Sequence, residues 1–141
     1  MTQVTAYTNE GRYKCLEDLP IDSAELSLGY CGWERCYPGH RFGPNKRTYY
    51  VLHIITNGKG KLEKNGEVFH LTTGDAFLLC PEEEAWYEAD KKEPWAYAWI
   101  GLYGYKVKKV MQYAGFSKEK SIRSLKCTAL LKSYVDEILE V

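Results

Sequence analysis

The sequence lacks any excess of basic charge: 19 Lys and Arg balance 19 Asp and Glu. Phosphate neutralisation supplies most of the affinity of a nucleic-acid binder, so a free-standing one carries a cationic surplus. Any contact with DNA is therefore expected from residues outside this segment. The sequence also lacks an apolar run long enough to cross a bilayer, and nothing at its start reads as a secretory leader. Its five cysteines are an odd number without a CxxC pair, which predicts reduced thiols in a cytoplasmic protein with no membrane partner. Cys31 and Cys36 are close in the chain, but no further ligands at zinc-site spacing stand out beside them. No HxH pair occurs, and His40, His53 and His70 are scattered. A Ser/His/Asp or Cys/His motif with a recognisable local context is missing as well. These absences leave no metal, no cofactor and no catalytic residue to nominate.

What is abundant is the large ring with a polar edge: twelve Tyr and four Trp against four Phe. Such rings pack like apolar groups but must place an O–H or N–H. That suits a pocket for a polar organic ligand, and it suits strands generally. At 141 residues the chain is long enough for one domain with a single core.

Residues 1–20 show little periodicity and read as an arm, either docked through Tyr7 and Tyr13 or unordered. Residues 24–37 are strand-like, interrupted by Gly29 and Gly32, and residues 38–47 (PGHRFGPNKR) read as a loop. The stretch 47–56 (RTYYVLHIIT) predicts a central strand. Asn65-Gly66 predicts a tight hairpin, residues 76–80 an apolar strand closed by Pro81, and residues 86–89 and 95–102 two more. Many short strands with regular turn signals argue for a sandwich or barrel.

After Tyr103 the period changes. Val107, Val110, Met111 and Ala114 share one helical face, with Gly115 as the C-cap. A second helix is expected from Ser121 or Ser124, with Leu130, Leu131, Tyr134, Val135, Ile138 and Leu139 as its apolar stripe. The pattern runs to Val141 without a stop signal, so a further domain is expected beyond it.

The stretch 49–81 (YYVLHIITNGKGKLEKNGEVFHLTTGDAFLLCP) carries a resemblance. Its strand ending in GKG, its NG hairpin and the element Leu71, Gly74, Asp75, Leu78, Pro81 resemble the N-terminal effector-binding domain of AraC-type transcription regulators, especially those of sugar utilisation. The likeness runs from about residue 24 to the end. It implies a mainly β, cupin-like barrel of jelly-roll type followed by two C-terminal α-helices. The implied division is an arm at 1–20, a ligand-binding barrel at 21–103 and a helical dimerisation segment at 104–141. The implied function is a bacterial sensor domain that binds a mono- or oligosaccharide, forms a homodimer through its helices, and meets DNA only through a part beyond Val141. The other reading is a small cupin enzyme, a metal-dependent isomerase or dioxygenase. The region after Pro81, Glu82-Glu83-Glu84-Ala85-Trp86, has no histidine where such enzymes place one, and the acidic run reads as a solvated loop.

By the same resemblance the ligand contacts fall at Tyr87, Tyr97 and Trp99, with an arginine that is Arg47 or, less favoured, Arg41. Strand geometry converges on this. Successive residues point to opposite faces, so Trp95, Tyr97, Trp99 and Tyr103 oppose Ala96, Ala98, Ile100 and Leu102. Large polar-edged rings on one face and aliphatics on the other predict a ring-lined hollow against a packed surface. Gly74, Asp75 and Pro81 are expected to serve the turn and not the ligand.

Overall fold

The computed structural model describes residues 5–9 and 11–140. Residues 1–4 of the expected arm and the final Val141 lie outside them. The first two strands, β1 (Thr5–Asn9) and β2 (Tyr13–Glu17), form a hairpin that pairs onto β3 (Ser27–Arg35). The described arm is thus a sheet extension, not an unordered tail. It is followed by β4 (Arg41–Asn45), β5 (Tyr50–Asn57), β6 (Lys59–Lys64), β7 (Glu67–Thr72), β8 (Asp75–Leu79), β9 (Ala85–Ala89) and β10 (Ala96–Tyr103). Helix α1 (Val107–Tyr113), a short β11 (Ile122–Ser124) and helix α2 (Thr128–Leu139) complete the chain.

The strands make two sheets, a seven-stranded one ordered β1-β2-β3-β10-β5-β8-β11 and a four-stranded one ordered β4-β9-β6-β7. All strand pairs are antiparallel. Alternation along β5 and β10 divides the core in two. Ile55, Trp95 and Tyr97 point between the sheets, where they meet Leu62, Phe77, Leu79 and Tyr87. Ile54, Ala98 and their outward neighbours Leu52, Ile100 and Leu102 pack instead under Val107, Met111, Val135 and Leu139 of the two helices. Both faces of the central strands are covered, which is why β5 reads as an almost unbroken apolar run.

Local chemistry accounts for the turns. Gly74 holds φ at +94°, and the Asp75 carboxylate accepts the Thr72 N–H at 2.9 Å, the structural roles expected of them. Asn65 and Gly66 both have positive φ, 54° and 78°, as a two-residue hairpin of this type requires. Gly115, with φ +88°, follows α1 in the left-handed position that commonly ends a helix.

Four local expectations are corrected. Residues 41–45 are a strand, not part of a loop: β4 pairs with β9 despite a break in register between Phe42 and Asn45. Arg47 precedes β5, which begins at Tyr50, so it sits in the β4–β5 connection. Residues 122–124 pair with β8, and the last helix starts at Thr128. The acidic run is not wholly solvated. Glu83 is buried and paired at 3.0 Å with the equally buried Lys64.

Candidate ligand-binding site

Residues of both sheets line a cavity of about 380 Å³. Three structural units wall it. The first hairpin and β3 supply Tyr13, Cys15, Tyr30 and Glu34; β5 and β10 supply Val51, His53, Tyr97 and Trp99; β4, β9 and their connections supply His40, Phe42, Arg47 and Tyr87. All four residues nominated from sequence, Arg47, Tyr87, Tyr97 and Trp99, therefore meet on one wall system. Arg41 does not join them, and its guanidinium lies over the Trp86 ring at 3.9 Å. The alternation argument holds for Trp95, Tyr97 and Trp99, with Trp95 sealed in the core below the cavity at 1% exposure. Tyr103, at the end of β10, does not line the cavity: its ring is half-exposed and meets Tyr49 edge-on at 5.8 Å.

The rings form a connected surface. Phe42 stacks on Tyr87 (centroids 5.4 Å), Tyr87 meets Tyr97 edge-on (6.0 Å), and Tyr97 meets Trp99 at 87° (5.7 Å). Trp99 reaches this position because β3 has Gly32 opposite it. A Cβ there would stand 2.6 Å from the indole, so any side chain would push the ring out of the wall. His53 lies flat on Phe77 at 4.4 Å.

Polar groups punctuate the ring surface. Arg47 donates from Nη2 to the Tyr87 hydroxyl at 3.1 Å, whereas its Nη1 is buried with no hydrogen-bond partner. Nδ1 of His53, a residue only 3% exposed, is likewise buried and unpartnered. Burial holds the His53 imidazole well below its ordinary pKa, and the nearby Arg47 charge adds to that effect. Burial also pushes the Tyr87 phenol up, against the pull of Arg47, and raises Tyr97 well above its usual range. Tyr30 is pushed up to about 12 by desolvation. The wall thus carries phenols, the imidazoles of His40 and His53, one guanidinium and one carboxyl group, that of Glu34. Buried donors without partners are costly. Paired rings and unsatisfied donors together suit a ligand with apolar C–H patches and many hydroxyls, because the patches stack while the edges bond.

Sequence reasoning misses Tyr30, Phe42, His40 and His53 as wall residues. Phe42 and His40 escape it because 38–47 reads as a loop. His53 is legible as an inward position two residues before Ile55, but a barrel histidine carries no signal of facing a cavity. His53 and His70 do not approach each other: they lie in different sheets, and His70 is exposed.

A two-sheet antiparallel barrel with an aromatic, donor-lined cavity and helices packed on its outer face defines the cupin class of small-molecule binding fold. Solved structures agree at the level of fold. YhaK from Escherichia coli superposes with a TM-score of 0.55 at 18% identity, over 72% of this chain and 44% of its own. A cupin protein from Bacteroides fragilis gives 0.52 at 15% identity, over 63% and 83%. Residues 27–139 match the AraC-like ligand binding domain, and the chain belongs to that family. Among curated relatives, the Msm operon regulatory protein of Streptococcus mutans is 39% identical over 101 residues, 72% of this chain and 36% of that protein. The raffinose operon transcriptional regulatory protein of Pediococcus pentosaceus is 38% identical over 94 residues, 65% and 33%. The lactose operon transcription activator of Staphylococcus xylosus is 36% identical over 89 residues, 63% and 31%. The chain spans about a third of the length of these regulators.

Proposed function

We propose that this chain is the effector-sensing and dimerisation part of a sugar-responsive transcription regulator, and that it holds a mono- or oligosaccharide in the barrel cavity. One observation carries the reading: Arg47 Nη1 and His53 Nδ1 are buried, unpartnered donor or acceptor atoms on a wall of stacked rings. The names of the relatives, all operon regulators and two of them of sugar operons, support the saccharide class and a sensor in place of an enzyme. Tyr87, Tyr97 and Trp99 supply stacking and hydroxyl contacts, and Arg47 forks onto vicinal hydroxyls. DNA contact belongs to a domain outside this chain, in a cytoplasmic protein.

The signal leaves through the strands. Residues of β5 and β10 face the cavity on one side and carry α2 on the other, while β2 and β3 close the cavity wall. A ligand favours one arrangement of helix and hairpin only by binding it more tightly than the other. Intrinsic tryptophan fluorescence across a panel of sugars tests the reading. A saturable change is expected with at least one sugar, absent in a folded Trp99→Ala variant. Silence across the panel contradicts it.

A further inference from the structure

The β3–β4 turn gathers three metal-ligating side chains at the cavity rim. Glu34 and Cys36 are two residues apart on an extended stretch and so share a face. Pro38-Gly39 then reverses the chain: His40 N–H donates to the Tyr37 carbonyl at 3.0 Å, with Gly39 at φ +72°, the signature of a type II turn. The reversal brings His40 back beside Cys36. One ligand atom from each of Glu34, Cys36 and His40 lies within 4.8 Å of the other two. His40 Nδ1 is 3.6 Å from Glu34 Oε2, yet it is buried without a hydrogen-bond partner.

The surroundings suit a bound ion. Backbone bonds pin both ends of the turn: Cys36 N–H to the Trp95 carbonyl (3.1 Å), Gly39 N–H to the Ala89 carbonyl (3.1 Å) and Ala89 N–H to the His40 carbonyl (2.9 Å). Cys36 is buried in the core cluster that includes Tyr97 and Trp95.

We propose that Glu34, Cys36 and His40 form a site for a thiophilic divalent cation of the zinc class, with its open coordination position toward the cavity. A tetrahedral zinc ion with bonds of about 2.0–2.3 Å holds its ligand atoms roughly 3.5 Å apart, a spacing the Glu34–His40 pair already has. Mixed S, N and O donors select zinc over magnesium or calcium, which take oxygen. With a carboxylate and a thiolate as ligands the ion's charge is offset, so the neighbouring Arg12, whose guanidinium lies over the Tyr37 ring, faces a neutral centre. Glu34 and His40 also line the cavity, which places the ion beside any bound solute.

The test uses the chain in a Cys127→Ser background, which removes its exposed thiol. Chelator-stripped protein is titrated with Zn²⁺ by calorimetry and with Co²⁺ by absorption, with no sugar present. One equivalent of each metal is expected, with a sulfur-to-cobalt charge-transfer band that is lost in Cys36→Ser. Glu34→Gln and His40→Ala should bind zinc at least about ten-fold more weakly. Their side chains are only partly buried, so they decide the matter if Cys36→Ser fails to fold. Absence of stoichiometric zinc, absence of the thiolate band, or undiminished affinity in both Glu34→Gln and His40→Ala overturns the site. Because sugar is omitted, that outcome leaves the saccharide reading untouched.

Discussion

Tyr87 ties the cation of the cavity to its rings, accepting from Arg47 while stacking on Phe42. Tyr87→Phe keeps the stack and strips the acceptor. It should cost about 1–3 kcal/mol of stability, because both terminal guanidinium nitrogens are then unpaired, and it should weaken saccharide binding; denaturant melts and a binding titration check both. His53 has a different signature. Its folded-state pKa lies well below the ordinary 6.5, so below about pH 6.5 the unfolded chain takes up a proton that the folded one refuses. Stability therefore falls as pH drops from 6.5 toward the folded value, by at most about 1.4 kcal/mol per pH unit from this group. Wild type minus His53→Gln isolates it from the partly buried carboxyl groups of Glu17 and Glu34, whose raised pKa values act in the opposite sense. Identical urea-midpoint slopes for the two proteins between pH 7 and 5 would remove this role. The residues legible in sequence are those whose type and alternation agree, Tyr97 and Trp99. Those that are not, His40 and Phe42, owe their position to a Pro-Gly reversal whose far side pairs as a strand, which no local pattern announces.

At the scale of elements, the Lys64–Glu83 pair is the cross-brace of the barrel. Lys64 ends β6, reaches Glu83 in the β8–β9 turn at 3.0 Å, and also donates to the Lys118 carbonyl at 3.0 Å in the α1–β11 connection. Glu83 in turn accepts the Cys80 N–H at 3.3 Å. Lys64→Ala leaves a buried carboxylate unpaired and should cost roughly 3–5 kcal/mol, whereas the double change Lys64→Met with Glu83→Leu should lose far less. Thermal melts of the two variants distinguish a brace from a passive surface pair, for which both losses would be small. The run from β5 to β8 is readable because its strands are short and separated by the turn signals Asn57-Gly58, Asn65-Gly66 and Gly74. Four outlying elements are not. β1, β2, β4 and β11 are short, polar or broken by Gly-Pro, and they are strands because a neighbour with free backbone groups is there to pair with them.

At the scale of the molecule, the helices present two faces. Val107, Met111, Val135 and Leu139 are buried on the sheet, while Leu130, Tyr134, Val110 and Tyr113 are exposed. Leu131 and Ile138 are partly buried against the sheet, so the heptad-like stripe divides between the core and the outside. Dimerisation through the helices, as proposed, should therefore be weakened by Leu130→Glu with Tyr134→Glu and leave the fold intact. Light scattering that finds the same mass for wild type and the double variant would contradict it. No helix among the described residues is long and apolar enough to cross a membrane. The helical period and the neutral charge are legible in the residue order and composition alone, whereas the split of the stripe depends on which turns of α2 meet β3, β5 and β10.

The proposed function requires a solute resting against the rings of β9 and β10. Saturation-transfer NMR, irradiating aromatic protons and observing a saccharide, reports that contact without a label. Transfer to ring C–H protons of at least one sugar is expected from the wild type and is expected to vanish in a folded Trp99→Ala variant. No transfer to any sugar, or equal transfer from both proteins, would contradict the central claim.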